Sequence, residues 1–108
     1  MQTHQQIDKR SLALALAVVK KIDKDPEHKG IQKARSTCRR WYSKTQLPAV
    51  REWLEILQRP WNKIKSVLLD DSENGQRLRQ NDPFCGILLP KERWQIYKEF
   101  KKNEKTKP

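Results

Sequence analysis

Apolar residues recur along this chain at the spacing of helices and almost nowhere at that of strands. In the segment of about 7–24, Leu12, Ala15, Leu16, Val19 and Ile22 share one side of a helical wheel, and Leu14 and Val18 widen the stripe. Lys9, Arg10, Lys20, Lys21 and Lys24 take the other side, and alanines at 13, 15 and 17 favour the helix. Asp25 ends it, because a residue preceding proline avoids the helical region, and Pro26 suits the first turn of the next helix. That second segment, about 27–44, divides most sharply. Ile31, Ala34, Cys38, Trp41, Tyr42 and Thr45 gather within about a third of the wheel. Lys29, Lys33, Ser36, Arg40 and Lys44 lie opposite, with Arg35 and Arg39 on the flank, and Gly30 is its weak point.

Pro48 opens a third helix through about 58, whose inward residues are Val50, Trp53, Leu54 and Leu57. Arg59-Pro60 breaks it, and Trp61, Ile64, Val67 and Leu68 define a short fourth helix. Asp71 or Ser72 is placed to cap a fifth helix through about 80, which Gly75 is expected to weaken. Asn81-Asp82-Pro83 reads as a turn, 84–89 as an apolar connector, and Pro90 as the start of the last helix. Trp53, Trp61 and Trp94 sit in phase with aliphatic neighbours, which predicts all three inside. The expected fold is all-α: a single small domain of five to six helices over residues 1–100, then a flexible basic C-terminal tail at 101–108.

With 108 residues there is room for one modest core, and charge changes what that core is expected to carry. Twenty-four Lys and Arg against thirteen Asp and Glu give a net charge of +11. Such a field draws polyanions: nucleic acid, an acidic leaflet or an acidic protein. Lysines that only keep a small protein in solution would give the same total. No basic segment followed by an apolar one marks the start, and the longest apolar run, 12–19, is too short to span a bilayer. Cys38 and Cys85 lack paired spacing, so both are expected to be reduced and buried, in a cytoplasmic protein. The first helix lacks Trp or Phe on its apolar face, which argues against attachment to a membrane surface.

The inventory for catalysis is poor. His4 and His28 stand apart from any Cys, Asp or second His at metal spacing, and three isolated glycines form no phosphate loop. Asp70, Asp71 and Glu73 suit the N-terminal end of a helix, where acids oppose the positive end of the dipole. No catalytic residue, metal or cofactor is expected, and the chain reads as a non-catalytic binding protein.

One segment has the texture of a motif: Arg77-Leu78-Arg79-Gln80, then Pro83-Phe84-Cys85-Gly86-Ile87-Leu88, then Pro90-Lys91-Glu92-Arg93-Trp94. It resembles a group of small bacterial helical proteins with an "LRQ…PF.G.L.P.ER" signature near the C-terminus. Some of these look like the antitoxin halves of two-gene modules whose other half is a nucleotidyltransferase-like toxin. The resemblance runs from Trp53 onward. It implies a bacterial partner protein to be bound and masked, a toxin in the antitoxin-like cases, and it assigns no functional residue. Physically, Phe84, Ile87, Leu88 and Leu89 must either fold back on the core or offer a patch to that partner. Burial tendency favours folding back for Leu88 and Leu89. Arg77, Arg79, Phe84 and Arg93 are thus the candidate partner-binding residues.

The alternative is a basic DNA- or RNA-binding regulator acting through the second helix, with Lys29, Lys33, Arg40, Lys44, Arg35 and Arg39 as candidate contacts. Trp41-Tyr42 beside Arg39-Arg40 would suit base stacking, but their phase with Ile31, Ala34 and Cys38 puts them in the core.

Overall fold

Each apolar stripe seats a helix in the computed structural model, which describes the backbone of residues 4–84 and 86–106 and the side chains of 9–84 and 86–99. The helices are α1 (His4–Asp23), α2 (Lys29–Lys44), α3 (Pro48–Ile56), α4 (Trp61–Leu68), α5 (Glu73–Arg79) and α6 (Pro90–Thr106). The protein is all-α, with no strand among the described residues. Among those residues no helix is long and apolar enough to cross a membrane. The expectation for Cys85 lies outside the described residues. α6 continues through Thr106, so residues 101–106, expected to fray, have helical backbone.

α1 packs against α2, α4, α5 and α6, which makes it the axis of the assembly. Its buried line is Ala15, Val18, Val19 and Ile22, while Leu16, expected inside, is exposed. The run 12–19 is apolar nearly all round, so periodicity alone leaves its phase open by about one position. α2 and α3 form an antiparallel pair: Ile31, Ala34 and Cys38 meet Val50 and Trp53 in one core. The Cys38 thiol donates to the carbonyl of Val50 at 3.4 Å, and burial pushes its pKa up, as fits a buried reduced thiol.

Trp53 is the hub. It is fully enclosed, and its indole N–H donates to the carbonyl of Leu78 at 2.7 Å, so the polar atom goes in with a partner. The Phe84 ring stands edge-on to it at 6.0 Å between centroids. Phe84 is 1% exposed, which corrects its candidacy as a docking residue: the turn at 81–84 drives the ring inward against Trp53. Leu88 follows it into the core, but Leu89, also expected inside, is exposed. Leu89 precedes the first residue of α6, and its N–H is taken by the Glu92 side chain at 2.7 Å, half of a capping box that turns the chain outward.

Two further expectations change. Arg79 is 4% exposed and is a clamp, not a partner contact. Its guanidinium donates to Ser11 Oγ on α1 at 3.1 Å, to the Leu68 carbonyl at 3.3 Å, and to the Asp70 carbonyl. It thereby closes the C-terminal end of α4, where a cation is favoured and carbonyls lack partners. Gly75 is buried, and a Cβ there would overlap the carbonyl of Asp70. Glycine is therefore the residue that lets α5 follow α4 after a four-residue turn, with Ser72 Oγ capping the Gly75 N–H at 3.3 Å. The expected weakness is a packing requirement.

Trp94 departs furthest from expectation, being 67% exposed. The inward line of α6 is Glu92, Arg93, Ile96 and Tyr97, and Trp94 falls one step off it.

These contacts set two stabilities. Gly75→Ala, which would gain about 1 kcal/mol in an open helix, should here cost about 2–3 kcal/mol through overpacking. Phe84→Ala should cost about 3–5 kcal/mol. Urea unfolding of the two variants decides both: a neutral or stabilising Gly75→Ala, or a loss under about 1 kcal/mol for Phe84→Ala, would contradict this packing.

Candidate nucleic-acid interface

α2 carries six Lys and Arg and no Asp or Glu. Ile31, Ala34 and Cys38 hold its inner face in the core, which fixes the opposite face outward. Lys29, Lys33, Arg40 and Lys44 are exposed along that face together with Ser36, over about 22 Å at about 1.5 Å per residue. The expected basic stripe is thus present in space. Arg39 is exposed beside it, whereas Arg35 is half-buried and donates through Nε to the carbonyl of Leu57 at 2.8 Å. Arg35 ties α2 to the end of α3 and, with Arg39, Leu54, Leu57 and Gln58, lines a shallow cleft of about 360 Å³.

This charge pattern works against the helix that bears it. Lys29–Lys33, Arg35–Arg39 and Arg40–Lys44 are like-charge pairs at four-residue spacing. Together they cost roughly 0.6–1.5 kcal/mol. Lys29 also stands in the first turn, where the helix dipole disfavours a cation. Ion pairing relieves little of this. Lys29 meets Glu27 at 3.2 Å with both side chains some 70% exposed, a contact of small value. Lys33 donates to the Gly86 carbonyl at 3.0 Å. Among the described residues no ion pair holds Arg39, Arg40 or Lys44.

The start of α2 adds a feature that periodicity does not reveal. α2 begins at Lys29, two residues later than its stripe predicts, because the chain 24–28 forms a tight turn with His28 in the left-handed region, φ 49°. Asp25 supports the turn: its carboxylate accepts from the N–H of Glu27 at 3.1 Å and of Lys29 at 2.9 Å. The turn brings the end of α1 against the start of α2, and Gly30 permits the approach, since a Cβ there would lie 2.8 Å from Ile22 Cγ1. The result is an open groove of about 390 Å³ with an apolar floor of Ile22, Gly30 and Ile87. Lys21, Lys24, Lys29 and Lys33 rim it. Lys21 and Lys24 are legible as cations on the outer side of α1. That they join α2 in one basic surface depends on the turn.

Asp25, which lines this groove, and Asp23 and Glu92 near it are committed to the fold. Asp25 is held below its ordinary range by the N–H groups of Lys29 and Glu27. Asp23 is lowered by Lys65, whose ammonium lies at 2.8 Å, and by the Trp61 indole N–H at 2.6 Å. Glu92 is lowered by Lys21 at 2.7 Å and by the Leu89 N–H. Asp82, away from the groove and close to Arg93 and Arg79, shifts the other way: burial pushes it up.

The residues expected to bind a partner protein do not come together as a surface. Phe84 and Arg79 are enclosed. Arg77 is paired in a fork with Glu52, at 2.6 and 3.0 Å, and also donates to Asn74. Arg93 is half-buried on the inner side of α6. No protein-family model matches the chain, and no curated protein or solved structure matches it either.

The lowered carboxylates predict an acid dependence. A group whose pKa is depressed by folding stabilises the fold above its unfolded value and loses that contribution as pH falls through the folded one. Asp23, Asp25, Glu92 and also Glu52, lowered by Arg77, all have this sign. Their ordinary values are 3.8 for Asp and 4.5 for Glu. Asp82, raised by burial, has the opposite sign and adds stability as pH falls through its folded value. The urea midpoint should therefore hold or rise slightly from about pH 7 to about 5 and decline below about 4, where the four lowered carboxylates outweigh it. A midpoint at about pH 3 equal to that at neutral pH would show these contacts to be without effect.

Proposed function

We propose that this is a non-catalytic nucleic-acid-binding protein whose contact surface is the outer face of α2, continued by the lysine groove. What supports it is the cost of the pattern. Cations that served only to keep the protein in solution need not sit at four-residue spacing with no acid between them, nor in the first turn of a helix. A ligand bearing regularly spaced negative charge converts that repulsion into attraction through release of its counterions. Lys29, Lys33, Arg40 and Lys44 are the principal phosphate contacts, Arg39 flanks them, and Arg35 mainly positions α2. Masking of a bacterial partner protein, the antitoxin-like role, has less support, because Phe84, Arg77 and Arg79 are occupied within the fold.

Replacing Lys29, Lys33, Arg40 and Lys44 together by glutamine removes charge without touching the core. The variant should unfold in urea at or slightly above the wild-type midpoint, because like-charge pairs are relieved. In fluorescence anisotropy with a labelled strand of about 20 nucleotides, the slope of log affinity against log salt should become shallower by about one for each phosphate that the variant no longer engages. Wild-type affinity and slope in this variant would remove α2 as the site.

A further inference from the structure

We propose that Trp94 is a base-stacking residue, and that the nucleic acid this protein binds is single-stranded. The inference rests on the reading of α2 as a phosphate-contacting surface and names the ligand class for it. Of the four tryptophans, Trp53 is enclosed, Trp41 and Trp61 are half-buried, and Trp94 leaves 67% of its surface open. A lone exposed apolar side chain needs no explanation by itself. The surroundings of Trp94 are what give it meaning. Lys91 and Lys98, three residues before and four after, share its face of α6 and are exposed. Glu92 is drawn to the other side by Lys21. The indole therefore shares an exposed helix face with two lysines and no carboxylate at three- or four-residue spacing.

The start of α6 is tied to the proposed phosphate surface. Lys21 and Lys33 rim the groove, and they reach Glu92 of α6 at 2.7 Å and the Gly86 carbonyl at 3.0 Å. Trp94 lies two residues beyond Glu92, about 3 Å further along the helix and about 200° round it, on the outward side, with Lys91 between the two on the exposed arc. A strand leaving the groove lysines would reach this ring by passing round the outer face of α6 over Lys91. Bases in a duplex already stack on one another, and opening a step costs a few kcal/mol, so an indole takes a base face most readily from an unpaired strand. Membrane insertion fits poorly, since interfacial helices need an apolar stripe and the neighbours of Trp94 are Lys91, Gln95 and Lys98.

The test compares wild type, Trp94→Ala and Trp94→Phe as full chains, by anisotropy with labelled dT20 and with a labelled duplex of about 20 base pairs. Trp94→Ala should lower dT20 affinity about 5- to 150-fold, while Trp94→Phe keeps most of it and duplex affinity stays within about twofold. Cross-linking of the wild-type chain to 5-bromodeoxyuridine-substituted dT20 should label the peptide containing Trp94, a result that needs no variant to fold. The proposal is overturned by unchanged dT20 affinity in Trp94→Ala, by an equal loss on duplex, or by cross-links only elsewhere. It is equally overturned if the variant's only defect is in binding anionic vesicles or in self-association. If the glutamine variant of α2 loses affinity and Trp94→Ala does not, Trp94 alone is misassigned. If wild type binds neither probe, both assignments fall.

Discussion

Everything in this fold is arranged around one buried indole. A chain of 108 residues has few large apolar side chains, and the most enclosed of them, Trp53, carries a polar N–H that cannot be left without an acceptor in the interior. The Leu78 carbonyl takes it at 2.7 Å. That bond, with the Arg77–Glu52 fork, ties α3 to α5, and the edge of Phe84 packs the following turn against Trp53. α3 in turn is the platform on which α2 lies, through Val50, Cys38 and the Arg35 bond to the Leu57 carbonyl. The basic face is thus held outward by the core that Trp53 anchors.

Charge and core oppose each other here. α2 repels itself along its outer face, and isolated helices of its length are marginal in water. Its helicity is therefore owed to tertiary packing of Ile31, Ala34 and Cys38, and to Asp25, which satisfies the N–H of its first residue, Lys29, and that of Glu27 in the turn before it. Elsewhere arginines hold elements together in place of apolar residues. Arg79 ends α4 and joins it to α1, and Arg77 bridges α5 to Glu52 on α3. A net charge of +11 is consequently not spread evenly in function: some cations, Arg35 among them, are consumed by the fold, and Lys29, Lys33, Arg39, Arg40 and Lys44 on α2 are left facing water.

Helix positions are legible in the sequence because prolines and periodicity agree. Pro48, Pro60 and Pro90 sit at or just before helix starts, and α4 runs over the span its stripe predicts. The outward placement of Lys29, Lys33, Arg40 and Lys44 follows from the same periodicity, since Ile31, Ala34 and Cys38 define the opposite side without ambiguity. What periodicity does not supply is phase where apolar residues crowd, as at Leu16, or are sparse, as at Trp94. Nor can it show that Phe84 and Arg79 face inward, because that depends on Trp53 and on the carbonyls of Leu68 and Asp70, distant in sequence. The lysine groove is hidden for a related reason. Its cations are visible in the sequence, but the left-handed His28 and the contact of Gly30 with Ile22 are what gather them.

The most direct measurement is a titration of the ¹⁵N-labelled full chain with dT20, followed by amide chemical shifts residue by residue. If the outer face of α2 is the binding surface, the largest changes fall on amides of residues 29–44 and of the adjoining groove at 21–25 and 86–87. Amides of residues 73–84, which belong to the packed α5 and the turn beneath Trp53, should move little. Changes concentrated in 73–84, or spread evenly over every exposed lysine of the molecule, would contradict the assignment.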